Sequence, residues 1–369
     1  MATDCVKLLA TLIEHKTVNP GGDEIALARL LGEKLEAVGA DSVEVCELTE
    51  EERDGGESGA YVWGVFGTPR TLINVHLDTV PVTTGWTRDP FTLTQEDDRL
   101  YGLGSADTKG AIACVLTALA AEKPRDVAIL FSGDEERRSR CMAAFLATGL
   151  GADIARAIVC EPTDRQLGVR HRGIRAYQFE THGAGGHSSS ADRTEKPNVV
   201  IAKLALELDA LGERYLEETG ASEMPGLCLN IAELAGGVAF NVIPERARLS
   251  LSVRPGPGFD VARFEGELGT AIRAAAASAP IEMERVLARA SFATRDAASF
   301  VDLVGDAPRQ HTSLDFWTEA ALLSEAGIDA VVIGPGNIAV AHAPDEYVTA
   351  SDLEWATAMF ESMFRNSSP

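Results

Sequence analysis

The sequence predicts a two-domain protein in which a small α+β module interrupts an α/β domain. Strands alternate with helices up to residue 160, which favours a largely parallel sheet flanked by helices. Between about residues 174 and 287 the order becomes β-α-β-β-α-β, the pattern of a ferredoxin-like module. The α/β pattern then returns, and 369 residues suit two domains. We predict a catalytic domain formed by 1–172 and 289–369 and an inserted domain over 173–288.

The helices and strands of the first segment are predicted from the spacing of hydrophobic residues and from turn residues. Leucines 27, 30, 31 and 35 share one helix face, and Gly39 marks the end of that helix. Short apolar runs, such as 127–131, indicate buried strands. The predicted elements are helices around 6–13 and over 27–38, strands over 42–47, 60–66 and 72–75, a helix over 108–121, a strand over 127–131, a helix that ends near residue 148, and a strand over 157–160.

The inserted module differs in pattern, because 174–181 alternates like a strand with one exposed face. Its other predicted elements are a helix over 199–211, strands over 227–234 and 246–253, a helix over 261–277 and a strand over 281–287. A strand over 331–333 and a terminal helix from Asp352 complete the α/β domain.

Composition and charge exclude several classes of partner. Hydrophobic residues make up 45% of the chain, enough for a large core, so the chain is not disordered. The net charge of −23 repels nucleic acid and anionic membranes and favours cations. No apolar run is as long as a membrane span, and the first residues lack a signal-peptide pattern. Six scattered cysteines without a C-x-x-C pair favour free thiols, so we predict a cytoplasmic protein.

Ligand-type side chains follow the predicted strands of the α/β sheet. Each has an ordinary explanation by itself: Asp107 could cap a helix, and the acids after 127–131 suit a helix N-terminus. Together they would repel one another on one rim of the sheet unless cations held them. Imidazole and carboxylate ligands suit zinc or a similar metal, and two such ions can hydrolyse an amide or ester. The residues are His76, Asp107, Glu135, Glu136, Glu161 and His342, with Asp78 beside His76.

Motifs of competing enzyme classes do not fit. The pair Gly102 and Gly104 lacks the third glycine of a dinucleotide-binding loop. Lys109-Gly110 reverses the order that a P-loop needs, and the chain has no G-x-S-x-G nucleophile motif. The alternative from another class is a catalytically dead relative that acts as a binding protein. Such a relative would be expected to lack a ligand or the base, whereas all are present here.

The chain resembles the dinuclear zinc deacylases and exopeptidases that include acetylornithine deacetylase, succinyl-diaminopimelate desuccinylase, carboxypeptidase G and the aminoacylases. The motifs span nearly the whole chain in the order found in the family. They are His76-Leu-Asp-Thr-Val-Pro81, Gly104-Ser-Ala-Asp-Thr-Lys-Gly110, Ser132-Gly-Asp-Glu-Glu136, Cys160-Glu-Pro162, Gly186-His-Ser-Ser189 and Ala341-His-Ala-Pro-Asp-Glu-Tyr347.

This resemblance implies a role for each site residue. His76 and Glu161 would hold one metal ion, Glu136 and His342 the other, and Asp107 would bridge them. Asp78 would hydrogen-bond His76 and fix its tautomer, and Glu135 would be the general base. The inserted domain would be a lid and dimerisation domain, from which His187 reaches the partner's site and stabilises the oxyanion. Asn241 and Arg254 would bind the substrate carboxylate, and His171 and Arg172 are further candidate contacts.

The resemblance also implies a substrate. The segment Asp315-Phe-Trp-Thr-Glu-Ala320 is similar to the acetylornithine deacetylase branch, and its Phe-Trp pair to the N-acetylcitrulline-processing members. We expect a homodimer that binds two zinc ions, with cobalt as an alternative, and takes a small N-acyl amino acid. The first expectation is N-acetyl-L-ornithine in arginine biosynthesis, because an acidic chain suits an ammonium group. The alternatives are N-acetyl-L-citrulline, succinyl-diaminopimelate or a peptide.

Overall fold

The chain forms two compact units in a computed structural model that describes residues 2–53, 59–276, 279–305 and 310–366. The larger unit comprises Met1–Val169, Ala293–Thr312 and Thr318–Pro369, and the smaller comprises Arg170–Phe292 and Ser313–Trp317. The sequence assigns 313–317 to the second part of the catalytic domain, whereas the structure groups it with the smaller unit. The reason is local: Arg172 N donates to Leu314 O at 3.3 Å, and Trp317 Nε1 donates to Ala290 O at 3.1 Å.

The helices of the chain, in order, are α1 (Ala2–Glu14), α2 (Glu24–Ala37), α3 (Glu50–Arg53), α4 (Gly110–Ala121), α5 (Arg140–Thr148), α6 (Pro197–Thr219), α7 (Val261–Ala275), α8 (Ala297–Val304), α9 (Ala320–Glu325) and α10 (Ala350–Asn366). The strands are β1 (Ser42–Glu47), β2 (Ala60–Gly67), β3 (Thr71–His76), β4 (Thr94–Glu96), β5 (Arg99–Tyr101), β6 (Asp126–Ser132), β7 (Arg156–Val159), β8 (Leu167–His171), β9 (Ile174–His182), β10 (Gly186–His187), β11 (Asn230–Gly236), β12 (Val242–Ile243), β13 (Arg246–Val253), β14 (Ile281–Arg289), β15 (Phe292–Ala293), β16 (His311–Leu314), β17 (Asp329–Val332) and β18 (Tyr347–Thr349). No helix of the described residues is long and apolar enough to cross a membrane.

The central sheet has the strand order β1-β2-β6-β3-β7-β17-β8-β15, and β16 pairs with β8. Strands β6, β3, β7 and β17 run parallel, whereas β1, β2 and β8 pair antiparallel to their neighbours. Every residue of β3 is buried, as expected for a strand that is covered on both faces. The carboxyl ends of β3, β6 and β7 therefore meet on one rim of the sheet, and the α/β fold class is confirmed.

The smaller unit has a four-stranded antiparallel sheet in the order β11-β13-β9-β14. This order and the sequence β9-α6-β11-β13-α7-β14 define a ferredoxin-like fold, as predicted. One face of the sheet is buried: Phe179 and Leu249 pack with Leu204 and Leu208 of α6 and Phe264 of α7 in a single cluster. The alternating burial along β13 explains why its sequence period is two.

Some predicted boundaries differ from the structure, and one predicted boundary lies outside the described residues. The strand expected from 227 begins at Asn230, because Cys228 has a φ of 45°, which is incompatible with an extended strand. The helix expected from 108 begins at Gly110, because Asp107 has non-helical dihedral angles of φ −124° and ψ 84°. Helix α7 is described to Ala275, and the predicted end at Ala277 lies outside the described residues.

Candidate metal centre

The rim of the central sheet brings together side chains that are far apart in the sequence. His76 is the last residue of β3 and is paired in register with Ser132, the last residue of β6. Glu135 and Glu136 follow β6, and Glu161 lies two residues beyond β7. Because these three strands are parallel neighbours, their carboxyl ends deliver an imidazole and three carboxylates to the same place.

Asp107 occupies the centre of this cluster. Its Oδ1 lies 2.9 Å from His76 Nε2, and its Oδ2 lies 3.2 Å from His342 Nε2. His342 Nε2 is also 3.0 Å from Glu136 Oε1, and His76 Nε2 is 3.9 Å from Glu161 Oε2. The two oxygens of one carboxylate thus face two separate imidazoles, each of which has a further carboxylate beside it.

His342 reaches the cluster from a loop instead of a strand end. Its backbone has a φ of 58°, in the left-handed region that a non-glycine residue seldom adopts. Such conformations persist where the surrounding structure holds them, and they are frequent at active sites. About half of the His342 side chain is exposed, whereas Asp107 is buried, so the cluster has one open side.

Asp78 is fully buried and organises the two glutamates that follow β6. Its Oδ1 accepts a hydrogen bond from Glu135 N at 3.1 Å, and its Oδ2 accepts one from Glu136 N at 3.2 Å. The atom of Asp78 nearest to His76 Nδ1 is the backbone oxygen at 3.1 Å, whereas Oδ1 is 3.6 Å away. The backbone carbonyl of Asp78 therefore orients the imidazole, and its carboxylate positions the glutamates.

Two further carboxylates support the site and were not singled out from the sequence. Glu346 is buried and accepts hydrogen bonds from Gly104 N, Ala106 N and Asp107 N at 2.9–3.0 Å, which fixes the loop that carries Asp107. Its position in the quoted Ala341–Tyr347 motif was the signal that could have identified it.

The other supporting carboxylate, Glu24, belongs to a network behind Asp78. Asn19 Nδ2 lies 3.1 Å from Asp78 Oδ2, 3.2 Å from Asp134 Oδ1 and 3.3 Å from Glu24 Oε1. Arg140 neutralises Asp134 through hydrogen bonds of 2.7 and 2.9 Å. Burial and the charge of Asp78 raise the pKa of Glu24 to about 9, so Glu24 is a neutral acid at pH 7. No local sequence pattern indicates this network.

The electrostatics of the cluster show what charge it can hold. Burial lowers the pKa of His76, but the neighbouring carboxylates outweigh burial and keep this pKa well above its usual value. The carboxylates of Asp107 and Glu136 likewise raise the pKa of His342 to about 10. Burial raises the pKa of Glu135, Glu136 and Glu161 above the usual range. Protons on the two imidazoles and on the buried carboxyl groups therefore offset the negative charge of the cluster.

The donor atoms suit metal ions, which can take the place of those protons. Ligand atoms of His76, Asp107 and Glu136 all lie within 4.8 Å of one another. Imidazole and carboxylate donors are the ligands of zinc and similar metals, which bind the deprotonated forms. Glu161 on the His76 side supplies a third carboxylate and His342 a second imidazole, so the donor set is adequate for two ions.

The smaller unit brings two of its candidate residues together. Strand β10 pairs with β12, so that His187 lies opposite Val242, and Ser188 N donates to Asn241 O at 3.1 Å. His187 is exposed, and its Nδ1 accepts a hydrogen bond from Ser189 N at 3.2 Å. In the neutral imidazole the proton is then on Nε2, which makes that nitrogen a donor.

Arg254 follows β13 and is held through its backbone. Arg254 N donates to Leu227 O at 2.6 Å, and Arg254 O accepts a hydrogen bond from Arg172 Nη1 at 2.9 Å. Arg172 is buried and also donates to Pro225 O and Gly226 O. Its guanidinium is thus committed to the protein, and Arg172 supports the Arg254 segment instead of being free to contact substrate. His171 is buried against Phe292 and Trp317.

Comparison with known proteins defines the class of the chain. Residues 72–366 match the peptidase family M20/M25/M40, and the chain belongs to this family. The predicted family is therefore confirmed, and with it the assignment of the chain to the amide hydrolases.

Individual relatives and solved structures are similar to the chain over most of its length. The chain is 37% identical to N-acetyl-L-citrulline deacetylase of Xanthomonas campestris over 82% of this chain and 83% of that protein. It is 34% identical to acetylornithine deacetylase of Myxococcus xanthus over 75% of each protein. Among solved structures, an M20-family metallo-carboxypeptidase from Sulfolobus solfataricus matches with a TM-score of 0.76 at 20% identity and covers 99% of both chains. A dinuclear metal-binding peptidase of the same family from Bacillus subtilis matches with a TM-score of 0.71 at 15% identity, over 98% of this chain and 97% of that one.

Proposed function

We propose that the protein is a two-metal hydrolase that removes the Nα-acetyl group from an acetylated amino acid. The observation that carries the proposal is the position of Asp107, whose two carboxylate oxygens face His76 and His342 separately. In a two-metal site the Asp107 carboxylate would bridge the ions, and His76 and Glu161 would hold one ion and Glu136 and His342 the other. When bound, the ions polarise the acyl carbonyl and lower the pKa of water.

Glu135 is the proposed general base. It is held beside the ligands by the hydrogen bond from its own N–H to Asp78 Oδ1, which leaves its carboxylate to accept a proton. It takes the proton of the attacking water and delivers it to the leaving amine. His187 supplies its Nε2 proton as a hydrogen bond to the oxyanion, and Asn241 and Arg254 bind the substrate carboxylate.

We further propose that the protein is a homodimer through its inserted domain, so that His187 serves the partner's site. Strand β11 is an edge of the antiparallel sheet, and Leu234 on it is half exposed. In the adjoining loop, Val238 is 90% exposed and Phe240 is 100% exposed. Large apolar side chains next to an edge strand are typical of an interface. We also propose that the protein is a cytoplasmic metabolic enzyme.

Two substrates are proposed, and they differ only in the end of the side chain. The net charge of −23 favours N-acetyl-L-ornithine, whose side chain ends in an ammonium group. A net charge acts over the whole surface, however, and local groups can override it. The 37% identity with an N-acetyl-L-citrulline deacetylase and the Phe316-Trp317 pair favour N-acetyl-L-citrulline, which we place first. Zinc is the proposed metal, with cobalt as the alternative.

The test is release of amine from N-acetyl-L-citrulline, N-acetyl-L-ornithine, succinyl-diaminopimelate and a dipeptide. Each is assayed with enzyme that has been chelated and then reloaded with zinc or cobalt. We expect activity only after reloading and the highest kcat/KM for an acetylated substrate. A preference for the succinylated substrate or the dipeptide would contradict the deacetylase assignment but leave the two-metal site intact. Metal binding without turnover of any substrate would favour a binding protein.

A further inference from the structure

The turn formed by residues 342–345, here called the His342 turn, is not held by its own backbone. Among the described residues, no hydrogen bond between two backbone groups involves this turn. His342 and Asp345 have φ values of 58° and 56°, in the left-handed region that a non-glycine residue seldom adopts. Such a conformation persists only where other contacts determine it. Side chains must therefore hold the His342 turn in place.

The Asp345 side chain ties the His342 turn to residues 87 and 88. Its Oδ1 accepts a hydrogen bond from Thr87 N at 2.9 Å, and its Oδ2 accepts one from Thr87 Oγ1 at 2.6 Å. Arg88 Nη1 lies 3.2 Å from the same Oδ2. Both oxygens of the carboxylate are thus engaged by a segment that is 258 positions away in the sequence.

The anchor for Asp345 is itself fixed. Arg88 Nε and Nη2 donate to the two carboxylate oxygens of Glu96 at 3.2 and 2.6 Å, and the guanidinium lies 4.0 Å from the centre of the Tyr101 ring. Glu96 and Tyr101 belong to β4 and β5, and β5 pairs with β18, which begins two residues after Asp345. A single ion pair at a surface contributes little, but a network with this paired geometry can hold a loop in one position.

We propose that Asp345 is a positioning residue for the metal ion that Glu136 and His342 would hold. The His342 side chain is about half exposed, and its Nε2 lies 3.0 Å from Glu136 Oε1 and 3.2 Å from Asp107 Oδ2. By tying the His342 turn to residues 87 and 88, Asp345 keeps the imidazole at these distances. The proposal rests on the proposed two-metal function, but its test measures ion binding and needs no substrate.

The expected loss is confined to one of the two ions. His76 and Glu161, which would hold the other ion, lie at the end of β3 and after β7 and do not belong to the His342 turn. Asp345→Ala should therefore weaken only the ion that His342→Ala also removes, by roughly tenfold in zinc affinity, as loss of a residue that orients a ligand does. Asp345→Asn keeps one oxygen for Thr87 and should recover part of this loss. Chelator competition with zinc measures each affinity.

Asp89 provides a matched control from the same loop as Thr87. Its carboxylate accepts hydrogen bonds from Phe91 N and Thr92 Oγ1, both at 3.0 Å, and neither partner belongs to the His342 turn. Asp89→Ala should leave both zinc affinities at the wild-type value. Thr87→Val removes one donor to Asp345, so it should weaken the same ion as Asp345→Ala and add nothing when the two are combined.

Cobalt provides a signature that a general loss of stability would not change. The part of the visible absorption that His342→Ala removes from the cobalt-loaded protein should be altered in Asp345→Ala and retained in Asp89→Ala. Wild-type affinities in Asp345→Ala would overturn the proposal, as would an equal weakening of both ions, an equal loss in Asp89→Ala, or a wild type that binds one ion only. If Asp345→Ala does not fold, Asp345→Asn and Thr87→Val decide by the same comparison. If wild type binds two ions but turns over none of the substrates, the proposed function fails, and the affinities still decide the role of Asp345.

Discussion

The candidate residues of the two units are held in opposite ways. In the larger unit the ligand-type side chains are mostly buried at strand ends, and further buried carboxylates support them. In the smaller unit His187 and Asn241 are exposed on a two-stranded ribbon, with few contacts to hold their side chains. A buried cluster of acids costs stability unless it holds cations, whereas exposed residues cost nothing to keep or to remove. Substitutions of the ligands and of the residues that support them should therefore affect metal binding and stability in the first region. Substitutions in the second region should change the rate alone.

The largest effect is expected at the base of the buried region. Glu135→Gln should lower kcat by roughly 100- to 10,000-fold, because proton transfer is lost while the shape of the side chain is kept. Metal content, measured by elemental analysis, should stay at the wild-type value. A variant nearly as active as wild type would show that Glu135 is not the base.

The matching change in the exposed region is His187→Ala. We expect kcat to fall by roughly 100- to 1,000-fold, as for loss of one oxyanion donor, with no change in metal content or melting temperature. If His187 acts in the partner's site, mixing this variant with Glu135→Gln should recover activity once subunits exchange, because the mixed dimer has one complete site. Light scattering of the wild type provides the control, and a monomer would contradict the arrangement.

A smaller effect is expected at Asp78, which positions the glutamates from within the buried region. Asp78→Asn keeps the size of the side chain but replaces one acceptor of the Glu135 and Glu136 amide hydrogen bonds by an NH₂ group. We expect a loss of roughly 10- to 100-fold in metal affinity or kcat/KM, measured by chelator competition and by assay. Equal loss for an exposed carboxylate far from the site in sequence, such as Glu44→Gln on β1, would show that the effect is not specific.

The last prediction concerns stability instead of rate, namely the dependence of stability on pH. Because the pKa of Glu24 is raised from 4.5 to about 9, the unfolded chain loses this proton first. The contribution of Glu24 to the unfolding free energy should thus fall as pH rises from about 4.5 to 9, by at most about 1.4 kcal/mol per pH unit. Glu24→Gln removes this slope, so urea unfolding of the metal-free proteins should show the variant gaining stability over wild type across that range. His187→Ala should show no such gain.

The sequence predicted the fold and the main ligand-type residues because their signals are local. Apolar runs such as that of β6 mark buried strands, and parallel strands place the residues that follow them on one rim. His76, Glu136 and Glu161 could be grouped in this way without a structure. His342 was grouped with them because it follows the strand predicted over 331–333, but in the structure it reaches the site from the segment between β17 and β18.

The supporting residues could not be predicted in the same way. Glu24 and Glu346 look like ordinary surface acids in the sequence, because nothing local shows that a carboxylate is buried. Their roles depend on backbone amides and side chains that are distant in the sequence, such as Gly104 N for Glu346 and the Asp78 carboxylate for Glu24. Arg172, a candidate substrate contact in the sequence, instead donates to backbone carbonyl groups and to the carboxylate of Asp315.

The sequence by itself determined which chemistry is available: the order of strands and helices, the imidazoles and carboxylates at the strand ends, and the family motifs. Periodicity and residue type are local properties that can be determined without a three-dimensional structure. Only the tertiary structure decided how those groups are used, because distance, burial and hydrogen-bond partners set the charge of each. It placed Asp107 between His76 and His342, and it gave the carboxylate of Asp78 to the amides of Glu135 and Glu136.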